Sequence, residues 1–232
     1  MKVYQHLFFD LDRTLWDFEA NSLLTLKEIF VEKELAQRGI PNFEEFLNYY
    51  KPYNLHLWSL YKYRKIEKKH LSVQRFRGTL EYFNIMDDHL ANEIAKDYVR
   101  ISPTKTKLFP HTIDVLSKLS KKYQLHIITN GFNEVQFVKL ENSGLMPFFK
   151  HIITSEMIGI QKPNPEIFEF SLEKAGAKME NSIMIGDDQD SDIFGAMSFG
   201  MDQVFVDYHH EELKNKPTYH IHELTELLKI FL

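Results

Sequence analysis

Short apolar runs alternate with longer helical stretches in the second half of the chain. Such runs, rich in β-branched residues, predict buried strands. Strands that alternate with helices predict βαβ units and a mostly parallel sheet, buried on both faces. The predicted strands are 3–10, 125–129, 151–154, 182–185 and 203–206, and the predicted helices are 113–122, 133–142, 165–175 and 190–198.

A long segment after the first strand has helical periodicity and no convincing strand. Turn signals divide it at 39–41 and at Lys51-Pro52. We therefore expect an α/β core domain formed by 1–15 and 98–232, with 16–97 inserted as a helical domain. The periodic apolar residues near the start of the insert are Leu23, Leu24, Leu26, Ile29, Phe30 and Leu35.

The composition is that of an ordinary globular protein, with 44% hydrophobic and 26% charged residues among 232. The net charge of −5 argues against a nucleic-acid polymer as partner, because such proteins are normally basic. The absence of cysteine excludes disulfides, thiolate catalysis and cysteine–zinc sites, and it is compatible with a reducing cytoplasm. No stretch approaches the roughly 20 apolar residues of a membrane span. We therefore expect a cytoplasmic protein with no membrane partner.

Two carboxylates follow the first predicted strand. Asp10 stands where the apolar run ends, and Asp12 comes two residues later. In open α/β sheets, ligands bind in the crevice at the carboxyl ends of the strands. A carboxylate there can attack phosphorus and form an aspartyl-phosphate. Asp12 can then exchange a proton with the leaving group or the attacking water. Taken alone, such a pair is also explained as a turn.

A hydroxyl and a cation come from two later segments. Thr129 ends a predicted strand, where its hydroxyl can hold a phosphoryl oxygen or bond its own backbone. Lys162 precedes Pro163, which favours an extended conformation at residue 162. A lysine there can stabilise charge as it develops. Asn164 and Pro165 then predict the start of a helix, with Asn164 as its N-cap.

An acidic loop follows the fourth predicted strand. Mg²⁺ prefers oxygen ligands, often one or two carboxylates, and Asp187 would form such a pair with Asp10. Crowded negative charge costs free energy unless a cation lies among it or some side chains cap the following helix. We expect Asp187 to bind the metal, Asp188 and Asp192 to surround and orient the ligands, and Asp190 to cap the helix.

Taken together, these segments resemble the four motifs of the haloacid dehalogenase-like (HAD) superfamily of phosphohydrolases, in their order and at suitable spacing. Any one motif is common, whereas the ordered set is highly specific. The segments that carry the resemblance are 10–14 (DLDRT), 127–131 (IITNG), 155–156 (SE), 162–168 (KPNPEIF) and 186–192 (GDDQDSD).

The resemblance implies a Rossmann-like sheet of strand order 3-2-1-4-5, which places Asp10 and Asp187 side by side. It implies that Asp10 is the nucleophile and Asp12 the general acid/base. Thr129 and Lys162 would bind the phosphoryl group. Mg²⁺ would be held by Asp10, Asp187 and the backbone carbonyl of Asp12. The helical insert resembles a C1-type cap, which closes over the site and selects the substrate.

Within the superfamily, residues 12–18 (DRTLWDF) and the TNG motif are similar to a bacterial group of 5′-nucleotidases that act on nucleoside monophosphates. The implied partner is therefore a small phosphate ester, hydrolysed by a monomer or homodimer. The alternative substrates are phosphoglycolate or a sugar phosphate. Arg13 stands where relatives usually carry Gly, Asn or Asp, and it would alter the leaving-group preference. His111 stands where Gly is more usual, and we expect only a changed turn.

Two features of the insert and its start have alternative interpretations. The basic stretch 62–77 is either a solvated helix face or a cationic wall that attracts an anionic substrate. The aromatic residues either pack between helices or stack on a nucleobase; for stacking, Trp16 and Phe18 are favoured because they follow the Asp10 motif. The aromatic residues concerned are Trp16, Phe18, Tyr49, Tyr50, Tyr53, Trp58 and Tyr61, and the predicted substrate-binding residues are Thr129, Asn130, Lys162, Trp16 and Phe18.

Three other functions compete with phosphate-ester hydrolysis. A 2-haloacid dehalogenase of this superfamily would lack the acid at position 12 and need no metal, yet Asp12 and the acidic loop are present. A phospho-receiver is about half this length and has no helical insert. A binding protein on an inactive fold usually shows a lost nucleophile or acid, and neither Asp10 nor Asp12 is lost.

Overall fold

A computed structural model describes residues 3–232 of the chain, which divide into two compact units. One unit comprises the chain up to Glu19 together with Thr106–Leu232, and the other comprises Ala20–Lys105. The junctions lie at 19/20 and 105/106, later than the predicted 15/16 and 97/98. That the inserted unit selects the substrate stays a prediction.

The first unit is built on a parallel sheet. Among the described residues its strands are β1 (His6–Phe9), β2 (Gln124–Thr129), β3 (Phe149–Thr154), β4 (Ser182–Gly186), β5 (Asp202–Val206) and β6 (Tyr219–Ile221). They lie in the order β3-β2-β1-β4-β5-β6, and all neighbours are parallel. This confirms the predicted α/β class. The five strands predicted from sequence lie in the predicted order, and β6, which was not predicted, extends the sheet beside β5.

The helices of the described residues, numbered along the chain, are α1 (Phe18–Glu32), α2 (Phe43–Lys62), α3 (Lys68–Tyr82), α4 (Asp88–Ile101), α5 (Thr112–Leu119), α6 (Asn133–Asn142), α7 (Pro165–Ala175), α8 (Gly195–Phe199) and α9 (Glu226–Phe231). α6 and α7 have the predicted bounds. The predicted helix 190–198 instead begins as a π-helical turn, Gln189–Phe194, which continues into α8. None of the helices among residues 3–232 is long and apolar enough to cross a membrane.

Apolar side chains cover both faces of the sheet. Successive residues of a strand point to opposite faces, so Leu7 and Phe9 contribute to one core cluster and Phe8 to the other. The first cluster includes Leu116 and Leu119 of α5, and the second includes residues of α7 and α8. Helices and apolar side chains therefore cover both faces of the sheet, and the polar residues of the predicted site lie at the ends of the strands.

A row of histidines crosses the sheet on neighbouring strands. His6 of β1, His126 of β2 and His151 of β3 stack in sequence, with adjacent ring centroids 5.4 Å apart. His6 Nδ1 lies 3.1 Å from His126 Nε2, and Phe8 stacks on His126 at 4.6 Å. His126 is 0% exposed, and its Nδ1 atom has no hydrogen-bond partner among the described residues. The ring is therefore held in an apolar setting that disfavours a positive charge.

The second unit packs α2, α3, α4 and most of α1 around their own core. The predicted turn at Lys51-Pro52 is wrong, because α2 runs straight through Pro52. Pro52 has no backbone N–H, so α2 lacks one hydrogen bond there. The helix continues because packing of Phe46, Tyr50 and Leu57, which are buried on one side of it, outweighs that loss. In the basic stretch 62–77, Arg75 is buried and its guanidinium lies 4.4 Å from the Tyr98 ring centroid, while the other Lys and Arg residues are exposed or half-buried.

Candidate active site

Asp10 and Lys162 form the centre of a buried polar cluster at the carboxyl edge of the sheet. Asp10 directly follows β1, and its N–H donates to the Ile185 carbonyl of β4 at 2.9 Å. Lys162 Nζ donates to Asp10 Oδ1 at 2.7 Å, to Asp192 Oδ1 at 2.5 Å and to the Ile128 carbonyl oxygen at 2.8 Å. The lysine side chain is only 2% exposed. One ammonium thus ties the end of β2 to the segments that follow the neighbouring strands β1 and β4.

The Asn130 side chain fixes the backbone of Lys162. Its Oδ1 accepts from the Lys162 N–H at 2.8 Å, and its Nδ2 donates to the Lys162 carbonyl oxygen at 3.0 Å. Both ends of the amide are therefore used to align the lysine. The Asn164 side chain donates to the Gln161 carbonyl oxygen instead of capping α7, although Asn164 occupies the N-cap position.

Three carboxylates converge beside this lysine. Oxygen atoms of Asp10, Asp187 and Asp192 all lie within 4.8 Å of one another. Thr14 Oγ1 donates to Asp187 Oδ1 at 2.8 Å, and the Asp188 N–H donates to Asp192 Oδ2 at 3.1 Å. Both Asp192 oxygens are thus engaged, and the roles of Asp192 in orienting the ligands and of Asp10 and Asp187 in binding a metal stay predictions.

The acidic loop is held by Gly186 and Asp188. A Cβ atom on Gly186 would lie 2.3 Å from Asp192 Oδ2, so only glycine permits this close approach. Asp188 Oδ1 accepts from the N–H groups of Asp190 and Ser191 at 2.9 and 2.8 Å. The prediction that Asp190 caps the helix is therefore wrong, because Asp188 does so.

Burial sets the ionisation of this cluster. Burial raises the pKa of Asp10 to about 7, although the Lys162 charge opposes the shift. The pKa of Asp187 is raised well above its usual range by burial and by the charges of Asp10 and Asp192. Burial also raises the pKa of Asp192 against the opposing effect of Lys162. Burial acts to lower the Lys162 pKa, but the two carboxylates outweigh it and raise the pKa.

These groups fit a divalent cation. Three crowded carboxylates face one ammonium, and burial, together with the charges of neighbouring carboxylates, raises the pKa values of Asp10 and Asp187. Carboxylate and carbonyl oxygens are the hard ligands that Mg²⁺ takes. The carboxylates of Asp10 and Asp187 are therefore of the donor type expected for magnesium, and the part of the Asp12 backbone carbonyl stays a prediction.

Asp12 is held by two residues of α6. Lys139 Nζ lies 2.5 Å from Asp12 Oδ1, and Gln136 Nε2 donates to Asp12 Oδ2 at 2.9 Å. Gln136 Nε2 also donates to Thr129 Oγ1 at 2.7 Å, while the Gly131 N–H donates to the same hydroxyl at 3.1 Å. The Thr129 hydroxyl thus bonds the nearby backbone, as the alternative to phosphoryl binding predicted. Through Gln136 it is also linked to Asp12.

Sequence reasoning missed Gln136 and Lys139. Both are buried, and burial lowers the pKa of Lys139 although Asp12 opposes the shift. Their spacing of three residues places them on one face of α6. The signal available in the sequence was that this face also carries Leu140 and therefore points inward.

The predicted aromatic residues have different surroundings. Trp16 is 0% exposed, and Lys139 Nζ lies 4.2 Å from its ring centroid. Its ring is therefore closed to a base in this conformation. Phe18 is half-buried, with the Arg13 guanidinium 4.5 Å from its ring centroid. Of these two rings, Phe18 is therefore the less enclosed, and its contact with a substrate stays a prediction.

Both departures from the family pattern fall at left-handed backbone positions. Arg13 has a φ of 68° and His111 a φ of 65°. Gly, Asn and Asp tolerate this region best, which accounts for their use by relatives. Arg13 Nε donates to Glu19 Oε1 at 2.7 Å, and both residues line a cavity of about 190 Å³ with Asp187 and Tyr208. The cation at position 13 thus lies beside the acidic cluster.

Comparisons with known proteins agree on one family. A family model described as haloacid dehalogenase-like hydrolase matches residues 7–206. The crystal structure of the HAD-hydrolase YfnB from Bacillus subtilis bound to magnesium superimposes with a TM-score of 0.91 at 31% identity, covering 99% of each chain.

Two further relatives carry named activities. The pyrimidine 5′-nucleotidase PynA of Streptococcus pneumoniae is 31% identical over 97% of this chain and 94% of its own length. A glyceraldehyde 3-phosphate phosphatase of Methanothermobacter thermautotrophicus is 31% identical over 86% of this chain and 84% of its own.

Proposed function

Because the chain belongs to the haloacid dehalogenase-like hydrolases, we propose that it hydrolyses nucleoside 5′-monophosphates through an aspartyl-phosphate on Asp10. Its family, together with relatives named as phosphatases and nucleotidases, makes it a phosphoric monoester hydrolase. The observation that carries the mechanism is the meeting of Asp10, Asp12, Thr129, Lys162 and Asp187 at one edge of the sheet.

Asp10 is placed to attack phosphorus. Its Oδ1 is held by Lys162 Nζ at 2.7 Å, which orients the carboxylate and leaves Oδ2 as the attacking atom. As the Oδ2–phosphorus bond forms, the bond from phosphorus to the ester oxygen breaks. The Lys162 ammonium and the Thr129 hydroxyl balance the charge that develops on the phosphoryl oxygens.

Asp12 moves the proton in both half-reactions. In the first, its carboxyl group gives a proton to the departing ester oxygen. In the second, its carboxylate takes a proton from a water that attacks phosphorus, which releases phosphate and restores Asp10. Lys139 and Gln136 each hold one Asp12 oxygen, so they orient the carboxyl group for this transfer.

Asp10, Asp187 and the carbonyl oxygen of Asp12 would hold Mg²⁺. When bound, the ion would supply positive charge that lets a negatively charged ester approach the anionic Asp10. The magnesium-bound structure of YfnB supports this choice of metal.

The nucleotide assignment has two supports. PynA of S. pneumoniae and YjjG of Escherichia coli are both named pyrimidine 5′-nucleotidases, and each is 31% identical to this chain over nearly its full length. The Phe18 ring follows the Asp10 motif and is half-buried, so part of it is accessible to a base.

The test is phosphate release from nucleoside monophosphates, glyceraldehyde 3-phosphate, phosphoglycolate and other sugar phosphates, with Mg²⁺ and with EDTA. We expect metal-dependent release that is greatest on nucleoside monophosphates. Asp10→Asn should abolish it on every ester, whereas Asp114→Asn, at an exposed carboxylate of α5, should leave it unchanged. Greater release from a triose or other small phosphate would reject the nucleotide assignment. Full activity of Asp10→Asn would reject the mechanism.

A further inference from the structure

A second cluster of metal-ligating side chains lies at the β5–β6 edge of the sheet. Asp207 follows β5 directly, His220 lies within β6, and His222 follows β6. Parallel pairing brings these positions together, because the Asp207 N–H donates to the Ile221 carbonyl oxygen at 2.8 Å. The two histidines flank Ile221 and therefore point to the same face of the strand.

The distances among these side chains suit a small ion. His220 Nε2 lies 3.0 Å and His222 Nδ1 3.8 Å from Asp207 Oδ2, and one donor atom from each residue lies within 4.8 Å of the others. Four ligands around Zn²⁺, each at about 2.0–2.2 Å, are separated from one another by about 3.3 Å. The observed spacings bracket that value, so small side-chain movements would bring these three of the four ligands into place.

Asp207 is a fixed anchor for such an ion. Its side chain is 1% exposed, and the Glu211 N–H donates to its Oδ1 at 2.9 Å. This bond orients the carboxylate and directs Oδ2 towards the histidines. The His220 and His222 side chains are 28% and 43% exposed, so an ion can reach the cluster from solvent.

Another imidazole ring and a backbone carbonyl oxygen lie beside these three side chains. The His210 ring centroid lies 4.3 Å from that of His222, so another imidazole stands beside the cluster. His222 Nδ1 also lies 2.9 Å from the Asp207 carbonyl oxygen, where a ring N–H is required. A metal bound through Nδ1 would replace this hydrogen bond, and the ring proton would then lie on Nε2.

We propose that Asp207, His220 and His222 form a binding site for a transition-metal ion of the Zn²⁺ type. Imidazole nitrogen suits zinc, whereas magnesium takes oxygen ligands, so this ligand set selects a different ion from that suited to Asp10 and Asp187. The bound ion would join β5 to β6 and fix the loop between them. That loop carries Tyr208, whose hydroxyl donates to the Thr14 carbonyl oxygen at 2.9 Å.

The test uses the untagged full-length protein, stripped with a chelator and then kept in excess Mg²⁺ at pH 7.5. Titration calorimetry with Zn²⁺ should show one equivalent bound. His220→Gln and His222→Gln should each weaken binding at least tenfold, and the double variant should bind none. His56→Gln, at an exposed histidine of α2, is the matched control and should bind as the wild type does.

Two further readouts separate a specific site from general metal affinity. Zn²⁺ should raise the melting temperature of the wild type and of His56→Gln but not of the double variant. Co²⁺ should give visible absorption bands that also depend on His220 and His222. Because both histidines reach the surface, the variants should keep the wild-type circular dichroism spectrum. Equal Zn²⁺ binding by wild type and double variant would overturn the proposal, and so would no binding by the wild type in excess Mg²⁺.

Discussion

The buried histidine row should make the protein less stable in mild acid, and His126 should be the main cause. Burial lowers the pKa of His126 to about 3, assisted by His6, His151 and Lys150. In the unfolded chain a histidine has a pKa of about 6.5. Below pH 6.5 the unfolded state therefore binds a proton at His126 that the folded state does not bind. The free energy of unfolding then decreases as the pH is lowered to about 3.

The size of the effect follows from this difference in proton uptake. For one site with these two pKa values, the free energy of unfolding should decrease by up to about 2 kcal/mol between pH 7 and pH 5. Burial lowers the pKa values of His6 and His151 as well, so they act in the same direction. His126→Leu removes the titrating group, and it should cost about 1 kcal/mol at pH 7 because His6 Nδ1 loses its partner.

Urea unfolding, followed by far-ultraviolet circular dichroism at pH 7 and pH 5 without metal, measures the effect. The loss of stability on acidification should be smaller in His126→Leu than in the wild type by up to about 2 kcal/mol. His56→Leu, at an exposed histidine, should behave as the wild type does. The raised pKa of Asp10 acts in the opposite direction and cancels in the comparison. An unchanged pH dependence in His126→Leu would refute the reasoning.

Other variants test the site and the backbone. Lys139→Met should lower kcat about 10–100-fold with little change in KM for a small ester, because Asp12 loses a contact that aligns it. Steady-state kinetics measures this, with Lys118→Met, at an exposed lysine, as the control. An unchanged kcat in Lys139→Met would contradict the prediction. Phe18→Ala should raise KM for a nucleotide while sparing a small phosphate ester, and equal losses on both would count against base stacking. His111→Val should lower the free energy of unfolding by about 1–2 kcal/mol, because a φ of 65° is unfavourable for a β-branched residue. His111→Gly should be tolerated. Equal urea midpoints for the two variants would exclude backbone strain.

The sequence predicted those parts of the fold that have a strong local signal. The strands that end at or just before Asp10, Thr129 and Asp187 are rich in apolar residues, and the structure confirms the parallel sheet they imply. β6 was missed because it has three residues, of which only Ile221 is fully buried. The turn expected at Pro52 failed because buried aromatic residues on α2 outweigh one lost hydrogen bond.

The sequence did not predict site residues whose roles depend on contacts with residues far away in the chain. The structure brings Asp10, Asp187, Asp192 and Lys162 together, yet their catalytic roles remain predictions. Leu140 indicates that the face of α6 with Lys139 points inward, but no local pattern identifies its partner Asp12, which lies 127 residues away in the chain.

The position of β1 at the centre of the sheet has a consequence for biosynthesis. Asp10 leaves the ribosome before Lys162, its ion-pair partner, which follows 152 residues later. At about 5–20 residues per second, the first strand waits roughly 8–30 seconds for that lysine to be made. During this interval the apolar segment His6–Phe9 has no completed sheet to enter, because β2 and β4 both lie far downstream. We therefore expect nascent chains that stop before β4 to aggregate or to bind chaperones.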